Sequence, residues 1–366
     1  MQKVHNIHNG CESNLYDSEK SRIELLQKGY IRADTKEDAD VILFHSCTFS
    51  QEKEDESTRI IKDLIANGKK VVVSGCFLSE NIKAENLEYI KHENLANSLP
   101  ILSVDPYLLD QHNERNSTDL NYPFVQISKG CYGSCTFCSI KQVKGIHKSR
   151  SIDDILQDIE VRKEFSGIKL VGEEVAGYGR DIGMTLQDLI LVIVDHFPHL
   201  KIKMGSLNAK MLKVFSDEEL EIFVHPNISG NVHIPIQSAS TSVLTNMKRG
   251  YSIEEYVTIY NTLKSIGVKN ISGDIIIGFP NETKADHQLN LSMMDNYDFS
   301  FMEVFIYQER PGTKAATMKQ IDYPIRKKRA TEVLVNYLNR HSHTNNIPLH
   351  KLIQGQPIFN TNFNFT

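Results

Sequence analysis

The sequence predicts an α/β chain in two parts, an amino-terminal parallel-sheet α/β domain followed by a partial (β/α)6 barrel. Short apolar runs alternate with segments of helical period from the first residues to about residue 320, the pattern of parallel sheets with crossover helices. Isolated cysteines follow three successive early strands. Between the halves, "DQHNERNSTDLNYP" (Asp110–Pro123) is polar and rich in turn formers, and it reads as a linker. The expected division is residues 1–110, a linker at 111–123, a barrel over 124–320, and a helix with an irregular tail over 321–366.

A first strand is expected near Lys3–Ile7, before a helix carrying Ile23, Leu25 and Leu26 that stops at Gly29. The strand "VILFHS" (Val41–Ser46) leads to a helix with Ile60, Ile61, Leu64 and Ile65, closed by Gly68, and then to "VVVSG" (Val71–Gly75). Further strands are expected at Phe124–Ser128, Ile168–Gly172, Lys201–Ser206, Asn231–Ile236, Asn270–Ile277 and Phe301–Tyr307. Helices such as Ser151–Phe165 and Ile253–Ile266 lie between them. Six such units make an incomplete barrel, whose chemistry gathers at the carboxyl ends of its strands. A last amphipathic helix carries Ile325, Ala330, Val333, Leu334 and Leu338.

A net charge of −5 gives the 366-residue chain no general pull toward nucleic acid. The dense basic run "RKKR" (Arg326–Arg329) reads as the solvated face of a helix. No apolar run approaches the roughly 20 residues that span a bilayer, and the first residues lack a secretory signal, so a cytoplasmic location is expected.

In that setting six cysteines read as metal ligands or catalysts rather than disulfides. Cys11, Cys47 and Cys76 each follow a strand, in "NIHNGC", "LFHSC" and "VVSGC". Strand carboxyl ends form one edge of a parallel sheet, so the three are expected to converge on a shared metal site; the other reading makes each a small buried thiol. Cys131, Cys135 and Cys138 form a C-x3-C-x2-C motif after the first barrel strand. Thiolates select zinc, copper(I) or iron–sulfur clusters. Zinc would need His147 or another group as fourth ligand, whereas a four-iron cluster held by three cysteines keeps one iron open.

This motif, with Phe137 just before its last cysteine, resembles the signature of radical S-adenosylmethionine (SAM) enzymes. "GCESNLYDSE", "SCTFSQEKEDES" and "VVVSGC" are similar to the three cysteine segments of radical SAM methylthiotransferases of the MiaB/RimO type. "GYGRDIG", "HIPIQSASTSVLTNMKRGYSIEEY", "GDIIIGFPNET" and "RPGTKAA" resemble barrel segments of the same family. The resemblance runs from about residue 3 to 340. It implies a TIM-like radical SAM barrel and two [4Fe-4S] clusters. One, on Cys131, Cys135 and Cys138, would chelate SAM, whose reductive cleavage gives a 5′-deoxyadenosyl radical. The other, on Cys11, Cys47 and Cys76, would hold a sulfide or methylated sulfur. The implied activity inserts a methylthio group at an unactivated C–H bond of a macromolecule, a tRNA adenosine or a polypeptide residue. The implied partner is a reductase or flavodoxin-type electron donor. Two alternatives stay open: a radical enzyme of another outcome that uses the amino-terminal cluster for electron transfer, and a non-catalytic metal-binding scaffold.

Glu173, in "VGEEV", stands where such enzymes receive the methionine ammonium, or else is an exposed loop residue. Gln237 follows an apolar strand and reads as a cofactor contact. Arg150 and Arg249 either pair with a cofactor carboxylate or anchor loops. Asp274, inside an apolar strand, is expected to be partnered. Asn281 or Glu282 is expected to start a helix, and Tyr132 and Phe137 to shield the metal. Lys141 and Lys144 stand where the family usually carries Pro and Arg, and His45-Ser46 replaces its Asn-Thr. Family members usually continue into an RNA-binding TRAM barrel; "HKLIQGQPIFN" (His350–Asn360) is expected to be too short to form one.

Overall fold

The computed structural model describes residues 2–48, 50–77, 82–91, 94–95 and 122–341. Most of the expected linker and the tail after 341, with the segment His350–Asn360, lie outside the described residues. The chain divides into two compact units: Met1–Ser206 with Gln308–Ala316, and Leu207–Tyr307 with the segment from Thr317 onward. Among the described residues no helix is long and apolar enough to cross a membrane.

The first unit opens with β1 (Lys3–His8), α1 (Glu12–Gln27), β2 (Ile31–Arg32), β3 (Val41–Ser46), α2 (Gln51–Ala66), β4 (Lys70–Gly75) and β5 (Leu87–Tyr89). The strands form one parallel sheet in the order β2-β1-β3-β4-β5. A parallel sheet covered on both faces needs strands that are apolar throughout, and every residue of β3 is buried. Val41 and Leu43 pack with Leu25 of α1 on one face, while Ile42 and Phe44 pack with Ile61 and Leu64 of α2 on the other. Each such side chain contributes about 1.5–3 kcal/mol of burial. Pairing of His8 with His45, and of Ser46 with Gly75, brings the carboxyl ends level.

The same unit continues with β6 (Phe124–Gln126), β7 (Ser128–Lys129), α3 (Ile140–Lys144), β8 (Lys148–Ser149), α4 (Ile152–Glu160), β9 (Gly167–Val171), α5 (Leu186–His196) and β10 (Lys201–Met204). The parallel order is β10-β9-β6. The expected strand at 124–128 is interrupted: its end turns into β7, which pairs antiparallel with β8 and closes the base of the cysteine loop.

The second unit holds α6 (Ala209–Leu212), α7 (Asp217–Leu220), β11 (Val232–His233), α8 (Thr241–Asn246), α9 (Ile253–Ser265), β12 (Ile271–Ile277), α10 (Lys284–Asn296), β13 (Phe301–Ile306) and α11 (Tyr323–His341). Its parallel order is β11-β12-β13. β11 is shorter than expected because its register slips: Val232 N and Ile234 N donate to Asn270 O and Ser272 O, but the next donor to β12 is Gln237 N (to Asp274 O, 2.9 Å), one residue late. α10 starts at Thr283, whose capping box with Asp286 takes the role expected of Asn281 or Glu282. Glu282 is buried, accepting from Gly278 N (3.1 Å) and Arg329 Nη1 (2.9 Å).

The basic run on α11 is not uniformly solvated. Arg326 is buried and donates to Tyr307 O (2.7 Å), Arg329 turns to Glu282, and only Lys327 and Lys328 are exposed. Helical period puts the first and last residues of the run one turn apart on the inner face. Ile325 is exposed, while Ala330, Val333 and Leu338 are buried as expected.

Candidate functional site

Cys11, Cys47 and Cys76 each follow a strand of the amino-terminal sheet, at the edge where the carboxyl ends of β1, β3 and β4 lie level. Cys11 occupies the N-cap of α1, its sulfur facing the Asn14 backbone N–H without the cap hydrogen bond that a serine or aspartate makes there. The second and third loops are stitched by Cys76 N donating to Ser46 O (3.0 Å). Ser57 of α2 donates to Cys47 O (3.0 Å) and accepts from Cys47 N (3.3 Å).

Asn14, fully buried in the first turn of α1, donates to Ser46 O (2.9 Å) and His45 O (3.3 Å). The third loop closes on the same side chain: a Cβ on Gly75, whose φ is +83°, would lie 2.7 Å from Asn14 Oδ1 and 2.8 Å from Ser46 O. Only glycine meets both demands there.

The three thiols also feel one another electrostatically. Burial pushes Cys76 up to about 12, Lys144 opposes, and Cys11 and Cys47 add to the shift. Cys11 keeps solvent contact, yet crowding pushes it up to about 11, with the Asn14 amide opposing and Cys47 adding. Thiols this reluctant to ionise become thiolates when a cation joins them.

Cys131, Cys135 and Cys138 are half-buried on the loop between β7 and α3. Gly133 N donates to Cys131 Sγ (3.1 Å) and Ile140 N to Cys138 Sγ (3.4 Å). A Cβ on Gly133 would stand 3.1 Å from Cys131 Sγ and 3.6 Å from Cys135 Sγ, so two sulfurs flank bare backbone. Burial pushes Cys131 up to about 12, Glu174 adds, the Gly133 amide opposes, and Cys135 and Cys138 add further. His147, the conceivable zinc ligand, stacks on Tyr132 (4.3 Å between ring centroids) and bonds Ser149 Oγ through Nε2 (3.2 Å). Among the described residues no three His, Cys, Asp or Glu side chains close around a single ion.

Two sequence motifs brace this loop. In "GYGRDIG", Asp181 accepts from Ser149 N (2.9 Å) and Oγ (2.5 Å), fixing β8. In "RPGTKAA", Arg310 pairs with Glu54 of α2 (2.6 Å), while Ala315 N donates to Thr136 O (2.8 Å) between the loop cysteines. One short segment therefore grips both cysteine regions.

Polar side chains join the two groups within the first unit. Glu173 accepts from Ser13 Oγ of α1 (2.7 Å) and from Gly130 N beside Cys131 (2.8 Å), so it is neither solvent-facing nor unengaged. Lys144, at the end of α3, pairs with Asp17 of α1 (2.6 Å), both side chains being almost wholly buried; Lys129 lies 3.8 Å from the same carboxylate. Burial works against the Lys144 ammonium, but Asp17, aided by Cys76 and Glu173, holds it above its ordinary value.

Of its two conceivable roles, Arg150 has the anchoring one. It donates to Gln126 O (2.6 Å), Asp158 Oδ2 (2.9 Å), Tyr16 Oη (3.0 Å) and Asp154 O (3.0 Å). Gln237 and Arg249 belong to the second unit. Gln237 is buried with its backbone in the left-handed region (φ 66°), and among the described residues its Oε1 accepts no hydrogen bond. Strain and an unmatched buried acceptor in one residue mark a place for a ligand. Arg249 is buried and donates to Asn208 Oδ1 (3.2 Å) and Tyr251 Oη (3.3 Å).

Asp274 is partnered, as expected, by His233 Nε2 (3.1 Å). Strand register sets Glu303 beside it. Burial and Asp274 push Glu303 up to about 7, against His233.

Sequence reasoning missed Asn14, Ser13 and the Lys144–Asp17 pair. Their one legible trace is that α1 begins on a cysteine and buries Ser13, Asn14, Asp17, Ser18 and Ser21, polar residues that hydrophobic periodicity does not count.

Comparison with known proteins matches this arrangement in two segments. A family model described as the radical SAM superfamily covers residues 125–290, and one described as uncharacterized protein family UPF0004 covers residues 3–95. The threonylcarbamoyladenosine tRNA methylthiotransferase of Danio rerio is 30% identical over 363 residues, spanning 91% of this chain and 65% of that protein. Its Mus musculus counterpart is 28% identical over 97% of this chain and 65% of its own length. The chain thus spans about 65% of the length of these relatives. The tRNA-2-methylthio-N(6)-dimethylallyladenosine synthase of Thermosipho melanesiensis is 28% identical over 93% of this chain and 86% of that protein.

Among solved structures, the apo cobalamin-dependent SAM radical enzyme OxsB aligns with a TM-score of 0.53 at 16% identity, over 93% of this chain and 56% of that one. That likeness is one of fold, an α/β chain with a partial TIM-like barrel. With one matched segment over the amino-terminal sheet and the other over the barrel strands, the chain carries a radical SAM segment and a UPF0004 segment and is similar in sequence to tRNA methylthiotransferases.

Proposed function

We propose that this protein is a radical SAM methylthiotransferase that acts on a tRNA adenosine. The observation that carries the reading is two separate groups of three cysteines inside one compact unit. Each group offers three soft donors, the set that leaves one iron of a four-iron cluster open. The bare backbone of Gly133 between two sulfurs, and the amides aimed at Cys131 and Cys138, suit bound thiolates.

When bound, two [4Fe-4S] clusters and SAM supply one-electron bond cleavage and a transferable methylated sulfur. The chain's own residues position and insulate them. Cys131, Cys135 and Cys138 would hold the SAM-binding cluster, and Cys11, Cys47 and Cys76 would hold the sulfur-bearing one. The Tyr132–His147 stack keeps water from the first loop. Glu173 holds the first turn of α1 against the cysteine loop, fixing the spacing of the two groups. The Oε1 of Gln237, without a partner among the described residues, would accept a hydrogen bond from a bound ligand, while Arg150 and Arg249 hold their loops in shape.

In this reading residues 3–95 form the sulfur-delivery domain and 125–290 the body of the radical domain. The tRNA substrate rests on the printed names of the relatives. A reductase or flavodoxin-type donor supplies the electrons, and the cytoplasm, where tRNA resides, is the location.

Anaerobic reconstitution tests it, and about eight irons per chain are expected. Replacing Cys131, Cys135 and Cys138 by alanine should abolish 5′-deoxyadenosine. Replacing Cys11, Cys47 and Cys76 should spare that product and stop methylthiolation. Mass spectrometry of tRNA nucleosides from cells with and without the protein reads the substrate. Methylthiolated peptide in place of nucleoside would move the substrate to a polypeptide. Deoxyadenosine with no methylthiolated product would point to another radical outcome.

A further inference from the structure

The outer surface of the loop that carries Cys131, Cys135 and Cys138 differs from the rest of the chain. From Lys129 to Arg150 it holds five lysines and arginines and no aspartate or glutamate, although the whole chain has a net charge of −5. Three of the five are engaged inside the first unit: Lys144 pairs with Asp17 (2.6 Å), Lys129 lies 3.8 Å from the same carboxylate, and Arg150 pairs with Asp158 (2.9 Å). Lys141 and Lys148 are left exposed.

Between these two lysines stands Ile146, 72% exposed on the turn that links α3 to β8. A second exposed isoleucine, Ile182 (45%), follows the exposed Arg180 on another turn. That turn is tied to β8 by Asp181, which accepts from Ser149 N and Oγ, and by Gly179 N, which donates to Ser149 Oγ (2.9 Å). A single exposed apolar residue is ordinary. Here two are fixed to one short strand, each with an exposed cation two residues away.

The backbone links this surface to the cysteines. Cys131 N donates to Gly145 O (3.3 Å), and a Cβ on Gly130 would lie 2.4 Å from Ile146 O. The residue before Ile146 is thus bonded directly to the first cysteine of the motif.

We propose that Ile146 and Ile182, with Lys141, Lys148 and Arg180, form the docking face for the protein that delivers electrons to the metal group on Cys131, Cys135 and Cys138, a small acidic one-electron carrier. The inference rests on the reading of that group as a redox cluster. Transient redox encounters use small interfaces, and in such contacts an apolar centre holds the partner while rim charges steer its approach. This face has both parts, and its cations are complementary to an acidic carrier. RNA would use the cations, but a phosphate backbone makes no use of two exposed isoleucines. In the step itself the carrier loses one electron and the metal group gains it; no bond or proton moves at the face.

The test uses the full chain reconstituted with iron and sulfide, with a flavodoxin and a ferredoxin as the carriers. Binding is measured by titration calorimetry over a range of salt, beside binding of tRNA, and reduction by each reduced carrier is followed by stopped-flow absorbance. Ile146→Ser should weaken carrier binding about tenfold, as loss of a central contact does. Lys141→Gln/Lys148→Gln should slow association about tenfold at low salt and flatten its salt dependence. Both variants should keep the parent's iron content and its rate of reduction by dithionite, which needs no docking face.

Carrier binding unchanged in both variants would overturn the inference, as would binding of neither carrier by the iron-loaded parent. So would an equal fall in dithionite reduction or iron content, which would make these residues part of the loop's own framework. Weakened tRNA binding with carrier binding intact would give the face to RNA instead. A parent chain that loads no iron on Cys131, Cys135 and Cys138 would sink the underlying reading, and iron content tells that failure from the others.

Discussion

Cys131, Cys135 and Cys138 meet within a single loop, clamped at its base by two short antiparallel strands. Cys11, Cys47 and Cys76 meet only because three strands end level and α1 and α2 lie on opposite faces of their sheet. The first group is a property of local backbone and the second a property of topology. Local groups are disturbed by local substitutions. Distributed groups fail when any of their cross-ties fails, which makes the amino-terminal site the more fragile of the two.

The largest expected effect comes from the segment that grips both regions. Glu54→Gln leaves the buried Arg310 guanidinium without its carboxylate, at a cost of about 3 kcal/mol. Thermal unfolding should shift down, and iron at both groups should fall in parallel. Loss confined to one group would show that the segment serves that group alone.

Asn14→Leu separates the groups. It removes one of two donors to each of His45 O and Ser46 O, which keep Asn9 N (3.4 Å) and Cys76 N (3.0 Å), at about 0.5–1.5 kcal/mol for each lost bond. Iron should fall to about half of the parent value, with 5′-deoxyadenosine formation kept. Equal loss from both groups would refute the role given to Asn14.

Gly133→Ala is the converse and milder. Its Cβ would press on Cys131 Sγ at 3.1 Å, so the radical group should load more slowly while the amino-terminal group loads normally. Site-resolved Mössbauer or paramagnetic resonance spectra check this.

The smallest effect is expected away from both groups. Glu303 ionises at about 7 in the folded chain, against an ordinary value of 4.5, so between those values the folded chain holds the extra proton. Stability from this residue is therefore present below about pH 4.5 and is lost as pH rises through 7. Glu303→Gln should raise the thermal midpoint relative to the parent at pH 8 and leave it unchanged near pH 4. A gain of equal size at both pH values would contradict the assignment.

The same contrast decides what could be read from the sequence. The six barrel strands and the sheet of the first part were legible because their apolar runs are long and their register follows from covering both faces. The Cys131 loop was legible from spacing alone. The placement of Cys11, Cys47 and Cys76 at one sheet edge was legible once each was seen to follow a strand. What joins the groups was not: Asn14, Ser13 and Asp17 are polar residues in a helix, and nothing in their spacing says that they point inward. Arg326 and Arg329 were misjudged for the same reason, because a run of charges hides which members face the protein. The interruption of β11 is a one-residue slip between Ile234 and Gln237, which an unbroken apolar run does not reveal.

The grip of Arg310 on Glu54 and of Ala315 on Thr136 has a consequence for biosynthesis. The first compact unit is not finished when its first 206 residues have emerged from the ribosome. It waits for a strap made about a hundred residues later, so a nascent chain carries both sets of thiols before the last clasp on them exists, and metal loading is best timed after translation has passed Ala316.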